Sequence, residues 1–305
     1  MVQKTAKIWM DGEMIPWEDA QVHVLTHSLH YGLAVFEGIR CYKGAGGSAV
    51  FRLKDHLRRL FHSAHIANMK IPFPFETIFE ACREIMRVNR LAEGYIRPLV
   101  FIGDGGMGLY AVDNPIRVIV AAWPWGTYLG EEGLRNGIRL KTSSYTRHHV
   151  NSMFVRAKIS GNYVNSIMAK REALAGGYEE ALILDDRGFV SEASGENIFA
   201  YRNGELVSPP LHSVLNGITR DAVIHLARDF GIPFRECSLT RDDLYIAEEV
   251  FLTGTAAEVT PIREIDDRTI GQGRRGPVTE RLQSAFFALV RGENRKYAEW
   301  LTPIA

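Results

Sequence analysis

Residues 180–209 contain the pattern that most restricts the fold of this chain. The stretch EALILDDRGFVSEASGENIFAYRNGELVSP alternates apolar and polar residues in short runs, with turn signals at Asp186-Arg187-Gly188 and Arg202-Asn203-Gly204. Alternation with a period of two predicts half-buried strands, and short glycine-containing turns join antiparallel neighbours. The second half of the chain is therefore predicted to contain a β-meander.

The first third of the chain mixes strands with helices. The pattern predicts a hairpin turning at Asp11-Gly12, a strand over 34–42, amphipathic helices over 54–69 and 76–91, and strands over 94–102 and 116–123. The stretch 124–137 then breaks the pattern with a proline and four glycines. We predict a small α+β domain over 1–123, an interdomain loop over 124–136 and a larger domain over 137–305.

The larger domain is predicted to hold further elements around the meander. A helix runs through NSIMAKREALA and stops at Gly176-Gly177, and a second helix starts near Thr219 and ends at Gly231. A strand is expected over 248–262, and a helix over 277–292 closes the domain.

Charge and apolar runs limit the function classes. Lys+Arg and Asp+Glu both number 36, which gives no general attraction to nucleic acid or to an anionic membrane. The N-terminus lacks the apolar core of a signal peptide, and no apolar run is long enough to span a bilayer, so a cytoplasmic protein is expected. Cys41, Cys82 and Cys237 are isolated, which argues against a disulfide framework and a structural zinc site.

Two motifs resemble ligand sites but lack the right context. GDGGMG, 103–108, has the glycine spacing of a dinucleotide site, yet no helix is predicted to open directly after it. A loop over some other site is favoured. His23, His27 and His30 have helical spacing that could bind zinc, but packing and hydrogen-bonding histidines are the favoured interpretation. No metal site is predicted.

Lys158 stands out among the lysines. The others, at 4, 7, 43, 54, 70, 141, 170 and 296, mostly lie among charged or turn residues. In RAKISGNYVNS, Lys158 is flanked by Ala157, Ile159, Ser160 and Gly161, which leave room for a flat molecule to approach its nitrogen. A lysine in an enclosed site can lose its proton and form a Schiff base with a carbonyl. If Lys158 is considered without the other motifs, the alternative is an ordinary charged lysine on the surface.

Other residues of the second half fit a pyridoxal phosphate site. Glu192 is predicted on a meander strand, where its carboxylate could face a ring, and this cofactor needs an acid at its pyridinium nitrogen. Tyr163 follows Lys158 by five residues and could hydrogen-bond the ring hydroxyl.

Two stretches are candidates to hold the phosphate. NGITRDAVIHLARDFG offers Gly217 and a predicted N-cap, Thr219, at a helix N-terminus that favours anions. LTGTAAE offers Gly254 and Thr255 at a strand end. Arg58 or Arg59 on the HLRRLFHSA helix could supply a fixed charge.

These stretches together carry a resemblance. HLRRLFHSA, AKISGNY, SEASGEN, NGITRDA and TGTAAE stand in the order and spacing of the fold-type IV pyridoxal phosphate enzymes, the class-IV aminotransferase family, and the chain resembles the branched-chain amino acid aminotransferases over nearly its entire length. The resemblance implies a mixed α/β (α+β), two-domain fold of the D-amino acid aminotransferase-like type. Its N-terminal α+β domain is small, and its larger C-terminal domain contains a β-barrel-like sheet.

The resemblance also implies the site residues and the cofactor, pyridoxal 5'-phosphate. Lys158 would be the catalytic lysine, which forms the Schiff base and moves the proton between the substrate Cα and the cofactor C4′. The implied cofactor-binding residues are Arg59, Lys158, Tyr163, Glu192, Gly217, Ile218, Thr219, Gly254 and Thr255. Arg58 would then be the exposed neighbour of Arg59.

The implied substrates are small amino acids and 2-oxo acids. Tyr95 and Arg97 are two residues apart on a predicted strand and share a face, as do Phe36, Gly38 and Arg40. By the resemblance, Arg97 meets the distal carboxylate of glutamate. The full set of implied substrate-binding residues is Tyr31, Phe36, Gly38, Arg40, Tyr95, Arg97, Leu109, Trp125, Tyr128, Thr255, Ala256 and Ala257.

The resemblance implies a homodimer at least, with a hexamer built as a trimer of dimers as a larger form, and Leu109 reaching the neighbouring subunit's site. The expected reaction moves the amino group between L-leucine, L-isoleucine or L-valine and 2-oxoglutarate. The alternatives are a D-amino acid or (R)-amine transaminase, or aminodeoxychorismate lyase, of the same fold. A non-catalytic binding protein is a third class, against which Lys158 and Glu192 argue.

Overall fold

A computed structural model describes residues 2–126 and 129–304 of the protein. Contacts within the described chain form two units. The first contains residues 2–126, 157–161 and 289–304, and the second contains 129–156 and 162–288. The domain boundaries expected near 123 and 137 stay a prediction.

The described residues form strands and helices in mixed order. The strands are β1 (Lys7–Met10), β2 (Glu13–Pro16), β3 (Ala34–Phe36), β4 (Ile39–Gly44), β5 (Gly47–Phe51), β6 (Gly94–Ile102), β7 (Ile116–Trp123), β8 (Ile138–Thr146), β9 (Glu180–Leu184), β10 (Val190–Ala193), β11 (Asn197–Arg202), β12 (Glu205–Ser208), β13 (Phe234–Glu236), β14 (Glu249–Gly254), β15 (Glu258–Ile265), β16 (Arg268–Thr269) and β17 (Leu301–Pro303). The α-helices are α1 (His27–Tyr31), α2 (Leu53–Ile66), α3 (Phe75–Val88), α4 (Gly130–Asn136), α5 (Tyr163–Ala175), α6 (Ile218–Asp229), α7 (Arg241–Tyr245) and α8 (Pro277–Val290). Short 3-10 helices cover Trp17–Asp19, Ser160–Asn162 and Arg295–Trp300.

The sheet of the first unit has the order β17-β5-β4-β6-β7-β1-β2, with β3 also paired to β6. The predicted hairpin of β1 and β2 is present, and its turn residues Asp11 and Gly12 both have positive φ, 48° and 106°. Such values suit the right-handed twist of a two-residue hairpin. Helices α2 and α3 bury their predicted apolar faces, including Leu57, Leu60 and Ile85, in one core with the sheet.

The strand expected over 34–42 is interrupted. Residues Glu37 and Gly38 separate β3 from β4, although both strands pair with β6. The pairing register with β6 is the same on both sides of the gap and places Glu37 opposite Pro98. The Glu37 N–H donates to the Pro98 carbonyl at 3.0 Å, but proline has no N–H to return the bond, so the ladder is interrupted there. Glu37 is fully buried, and its side chain bonds to helix α2. The prediction of a continuous strand was therefore wrong at this point.

The sheet of the second unit has the order β10-β9-β8-β15-β14-β11-β12-β13, with β16 paired to β15. The strands predicted over 180–209 are present as β9 to β12, but the prediction of a meander was wrong. They form two separate hairpins, β9–β10 and β11–β12, with β8, β15 and β14 between them in the sheet. The second hairpin turn has positive φ at Asn203 and Gly204. The strand expected over 248–262 is instead a hairpin of β14 and β15. Its turn residues Thr255, Ala256 and Ala257 divide an apolar run that has no strong turn signal.

The segment Ala157–Gly161 leaves the second unit and packs in the first. Ile159 forms an antiparallel bridge with Val35, and the Gly161 N–H donates to the Gly32 carbonyl at 3.0 Å. The positive φ of Gly32, +74°, favours glycine at that position, and a Cβ there would be in ordinary van der Waals contact with the Gly161 Cα at 3.4 Å. Lys158 is thereby held against β3.

Helices α5 and α4 lie in regions where the sequence predicted a helix and an interdomain loop, respectively. Helix α5 ends at Ala175 before Gly177, as expected, and residues Gly130–Asn136 of the predicted connection form α4. Across 2–126 and 129–304, every helix is too short or too polar to cross a bilayer.

Candidate active site

The backbone of Lys158 is anchored on both sides. Its N–H donates to Ser63 Oγ at 3.0 Å, and its carbonyl accepts the Phe36 N–H at 3.1 Å. The Lys158 Nζ lies 5.0 Å from the centre of the Phe36 ring. The anchored backbone directs the stem of the predicted catalytic lysine along this aromatic ring.

Next to Phe36, Glu37 joins two side chains of helix α2. Arg59 donates from Nε to Oε1 at 2.6 Å and from Nη2 to Oε2 at 2.8 Å, and His56 Nδ1 donates to Oε2 at 2.7 Å. Burial alone would raise the pKa of Glu37, but the charge of Arg59 and the hydrogen bonds from Arg59 and His56 hold that pKa well below its usual range. Glu37 is therefore an ionised carboxylate.

His56 is buried and neutral. Burial lowers the pKa of His56, and the charges of Arg59 and Lys158 lower it further, against the opposing effect of Glu37. A carboxylate can only accept, so the proton of the neutral ring lies on Nδ1.

The structure separates the two arginines that the sequence left as alternatives. The side chain of Arg59 is 14% exposed, whereas that of Arg58 is 64% exposed and pairs with Asp55 at 3.2 Å. His56, Arg59 and Ser63 follow one another at three and four residues, so they share a face of α2. Arg59, and not Arg58, lies with the Lys158 segment.

Arg97 is surrounded by aromatic rings. Its Cζ lies 4.7 Å from the centre of the Phe36 ring and 5.9 Å from that of Trp123, and its Nη2 donates to the Tyr95 hydroxyl at 3.4 Å. Among the described residues, Arg97 Nε and Trp123 Nε1 are buried without a hydrogen-bond partner. Buried donors of this kind fit a polar ligand group.

Tyr95, Gly38 and Trp125 lie together beside Arg97. The rings of Tyr95 and Trp125 stack at 5.1 Å. A Cβ on Gly38 would lie 1.7 Å from the Tyr95 hydroxyl oxygen, so only glycine fits there. Arg40 donates from Nη1 to the Gly126 carbonyl at 3.4 Å, and its buried Nε is another donor with no partner in the described chain.

Other predicted substrate residues are more exposed or not described. Leu109 is 92% exposed, and Tyr31 on α1 is 43% exposed. Tyr128 lies outside the described residues. The glycine-rich loop before Leu109 is held from within by Asn114, which accepts the Gly106 N–H at 2.8 Å. Strand β7 follows the loop, as expected for a loop that is not a dinucleotide site.

In the second unit, Glu192 is held on strand β10 with its side chain 13% exposed. Its Oε1 lies 3.3 Å from Arg147 Nε, and its Oε2 accepts from Asn197 Nδ2 at 3.4 Å and from the Leu215 N–H at 3.3 Å. Arg147 also donates to the Ala193 carbonyl at 2.9 Å. The predicted partner of the cofactor nitrogen is thus fixed in direction.

Helix α6 begins two residues earlier than expected from an N-cap at Thr219. Its N-cap is Gly217, Ile218 is the first helical residue, and Thr219 is buried inside the helix, so the prediction of Thr219 as N-cap was wrong. A Cβ on Gly217 would lie 2.0 Å from Asn197 Oδ1, so a larger cap residue has no space. The cap glycine forms no side-chain hydrogen bond, which leaves an N-terminus suited to an anion.

The second predicted phosphate stretch is the turn between β14 and β15. Thr255 follows Gly254 in this turn, and Thr260 Oγ1 donates to the Ala257 carbonyl at 2.7 Å. Thr253 Oγ1 is buried with no partner in the described chain. Tyr163, the remaining predicted cofactor residue, begins helix α5.

A second buried carboxyl, Glu196, packs against Gly254. It accepts the Gly195 N–H at 3.0 Å, and a Cβ on Gly254 would lie 3.2 Å from its Cγ. Burial raises the pKa of Glu196 to about 8, with Glu180 adding to the rise and Lys170 opposing it. Glu196 is therefore largely protonated at neutral pH.

The sequence analysis missed Glu37, His56, Arg147 and Glu196. His56 is one of the polar residues of an amphipathic helix, and Glu37 lies within an apolar strand pattern. A charged residue inside such a pattern was the available signal for Glu37, because an unpaired buried carboxylate is too costly to persist.

The three histidines that were considered as zinc ligands form hydrogen bonds with backbone groups. His27 Nε2 donates to the Gly108 carbonyl at 2.8 Å, His30 Nε2 donates to the Val24 carbonyl, and His23 Nδ1 accepts the Leu25 N–H. In the part of the chain that the structure describes, no group of three His, Cys, Asp or Glu side chains could hold a metal ion.

Comparisons with known proteins identify the class. The model of the family described as amino-transferase class IV matches residues 34–265, and the chain belongs to this family. The chain is 54% identical over 302 residues to the branched-chain-amino-acid aminotransferase of Pseudomonas aeruginosa (strain PAO1), covering 99% of this chain and 98% of that relative.

Solved structures give the same result. The crystal structure of the Escherichia coli branched-chain amino acid aminotransferase matches with a TM-score of 0.97 at 48% identity, covering 99% of this chain and 100% of that one. The branched-chain amino acid aminotransferase from Thermobaculum terrenum, solved in its PLP-form, matches with a TM-score of 0.92 at 35% identity, covering 99% of each chain. The resemblance and the fold-type IV class predicted from the sequence are confirmed.

Proposed function

We propose that the protein is a pyridoxal 5'-phosphate-dependent aminotransferase that moves the amino group between L-leucine, L-isoleucine or L-valine and 2-oxoglutarate. The products are the branched 2-oxo acids and L-glutamate. One observation carries the proposal: Lys158 Nζ and Arg97 Cζ lie 5.0 Å and 4.7 Å from the centre of the same ring, that of Phe36. A reactive lysine and a carboxylate-binding cation thus border one apolar wall.

The groups proposed to hold the cofactor are Arg59, Lys158, Tyr163, Glu192, Gly217, Ile218, Thr219, Gly254 and Thr255. The Thr253 hydroxyl, which has no hydrogen-bond partner among the described residues, and the glycine-capped N-terminus of α6 support an anion-binding role for the residues near them. When bound, the cofactor supplies an electron sink for charge that develops at the substrate Cα.

Lys158 would hold the cofactor and would carry the proton exchanged at the substrate Cα. Its backbone bonds to Ser63 and Phe36 fix the point from which the side chain starts. Glu192 would accept a hydrogen bond from the ring nitrogen, Tyr163 would donate to the ring oxygen, and Arg59 would bind the phosphate.

Substrate side chains of two kinds must enter one pocket. Phe36, Tyr95 and Trp125 provide an apolar surface for leucine, isoleucine and valine, and Arg97 binds the distal carboxylate of glutamate. Backbone amides of the turn at Thr255, Ala256 and Ala257 hold the α-carboxylate. Tyr31, Gly38, Arg40 and Tyr128 complete the proposed pocket.

The working form is proposed to be a homodimer at least, and a trimer of dimers is the proposed larger assembly. The exposed apolar side chains of the first unit support self-association, since Leu109 is 92% exposed and Tyr110 is 87% exposed. Leu109 is the residue that would enter the partner's site.

The same fold can serve a D-amino acid or (R)-amine transaminase, or aminodeoxychorismate lyase. The pairing of Arg97 with Tyr95 opposite Phe36 favours the branched-chain reaction, because an apolar wall with one cation suits both leucine and glutamate.

The absorption spectrum of the purified protein tests the proposal. L-leucine added without an acceptor should convert the band of the cofactor bound to Lys158 into that of the amino form, and D-leucine should not. The Lys158→Ala variant is the control and should not undergo this conversion. A response to D-leucine alone would overturn the branched-chain assignment, and absence of a cofactor band in the reconstituted wild type would overturn the cofactor assignment.

A further inference from the structure

We propose that Glu37 is a positioning residue for Arg59, with His56 as its support, so that the arginine is held in the orientation that binds the cofactor phosphate. The inference rests on the proposed function, in which Arg59 is the phosphate ligand. Glu37 and His56 are outside the set of residues assigned above to cofactor or substrate.

The contact between Glu37 and Arg59 fixes the guanidinium plane. Two donors of Arg59, Nε and Nη2, reach the two oxygens of one carboxylate at 2.6 and 2.8 Å. Paired bonds of this kind set orientation as well as distance. Without them, the long arginine side chain would occupy several rotamers.

Glu37 is itself fixed from two directions. Its backbone N–H donates to the Pro98 carbonyl at 3.0 Å, and its Oε2 accepts from His56 at 2.7 Å. Both side chains are almost completely buried, at 0% and 1% exposure. The carboxylate therefore provides a rigid point of reference for Arg59.

The same two elements also hold Lys158. Phe36, which precedes Glu37, donates its N–H to the Lys158 carbonyl, and Ser63 lies on the same face of α2 as Arg59 and accepts from the lysine N–H. Because the lysine and the arginine are tied to the same two elements, their separation is held constant, as a ligand that contacts both would require.

The test compares two ligands that differ only in the phosphate. Apoenzyme is titrated with pyridoxal 5'-phosphate and with pyridoxal, and the dissociation constants are read from the absorption change. The dissociation constant of pyridoxal divided by that of pyridoxal 5'-phosphate is the ratio that measures the contribution of the phosphate alone. A variant that only loosens the fold would weaken both ligands and leave the ratio unchanged.

Two substitutions separate position from charge. Glu37→Asp keeps the negative charge but shortens the side chain by one methylene group, and Glu37→Gln keeps the length but removes the charge. Both should reduce the ratio on the order of tenfold to a hundredfold. Arg58→Ala, on the exposed face of the same helix, is the matched control and should leave the ratio unchanged.

His56 supplies an independent pair of variants. His56→Leu removes the donor to Glu37 and should lower the ratio by a few-fold, whereas His56→Asn places an amide donor near the position of Nδ1 and should restore it. If the Glu37 variants do not fold, as judged by circular dichroism of the apoenzyme, this pair decides the question.

An unchanged ratio in folded Glu37→Asp, or tighter binding of the phosphorylated ligand, would overturn the inference. If the Glu37 variants do not fold, equal ratios for His56→Leu and His56→Asn would also overturn the inference. If wild-type apoenzyme binds both ligands equally, the assigned phosphate role of Arg59 fails, and the proposed function fails with it.

Discussion

Glu37 in the first unit and Glu196 in the second are both buried carboxyls, at 0% and 4% exposure. At neutral pH, however, Glu37 is ionised and Glu196 is largely protonated. The pKa of Glu37 lies well below its usual range, while that of Glu196 is raised to about 8. Burial favours the neutral form in both. The difference shows that the available counter-charge, and not the depth of burial, decides ionisation in this protein.

The partners explain the contrast. Glu37 receives two bonds from the cation Arg59, whereas Glu196 receives the Gly195 N–H at 3.0 Å. Lys170, the nearby cation of the second unit, lies 2.6 Å from Glu180, whose negative charge opposes ionisation of Glu196. An ionised group is thus held beside Lys158 and a neutral acid beneath Gly254.

Removal of the counter-charge from Glu37 should have the largest effect on stability. Arg59→Met leaves a buried carboxylate without its cation and is expected to lower the free energy of unfolding of the apoenzyme by about 3 to 5 kcal/mol at pH 7. Urea denaturation measures this quantity. Arg58→Met should change it by less than about 0.5 kcal/mol. Equal losses in the two variants would contradict the comparison.

Glu192 tests whether a paired carboxylate can be neutralised without loss of fold. Glu192→Gln should lower kcat on the order of a hundredfold, because the cofactor ring nitrogen would lose the anionic partner proposed for it. The variant should still take up cofactor, since an amide keeps an acceptor near Asn197 and Leu215. If Glu192→Gln reacts at the wild-type rate in single-turnover kinetics, another group must protonate the ring.

The raised pKa of Glu196 predicts a pH dependence of stability. The folded form holds the proton up to about pH 8, and the unfolded form releases it near the ordinary value of 4.5. The stabilisation is therefore complete below pH 4.5 and is lost as pH rises towards 8, by at most about 1.4 kcal/mol per pH unit. Urea denaturation from pH 5 to 8 should show this fall, and Glu196→Gln should flatten it. Glu37 acts in the opposite sense, and its contribution is lost as pH falls below 4.5.

The smallest effect is expected from Glu196→Gln at pH 4.5. At this pH the carboxyl is neutral in the folded form and has only begun to ionise in the unfolded form. An amide of the same size should therefore change the free energy of unfolding by less than about 1 kcal/mol. The same measurement on Glu37→Gln should give a clearly larger loss. A large loss for Glu196→Gln would mean that its acid proton makes a bond that an amide cannot replace.

Much of the architecture could be predicted because local chemistry determines it. The turns at Asp11-Gly12 and Asn203-Gly204 require positive φ, and the faces of α2 and α3 follow helical spacing. The gap between β3 and β4 could not be predicted, because it depends on the pairing of Glu37 with Pro98, which is distant from it in sequence.

The same limit applies to the candidate site. Lys158 and Arg59 could be named from the motifs, but what holds them could not. The displaced start of α6 has a similar cause, since Gly217 is required by the side chain of Asn197, 20 residues earlier in the chain. Long-range contacts of this kind leave no periodic signal.

The close contact of Gly38 with Tyr95 limits the order in which substitutions can accumulate in the pocket. A Cβ at position 38 would meet the Tyr95 hydroxyl oxygen at 1.7 Å and the ring carbon Cζ at 2.6 Å, so removing the hydroxyl alone does not make room. The Tyr95 ring cannot easily turn aside, because it stacks against Trp125 and contacts Trp123. Any evolutionary or laboratory path that places a side chain at position 38 must first replace Tyr95 with a residue smaller than phenylalanine, so the two positions are open to change in one order only.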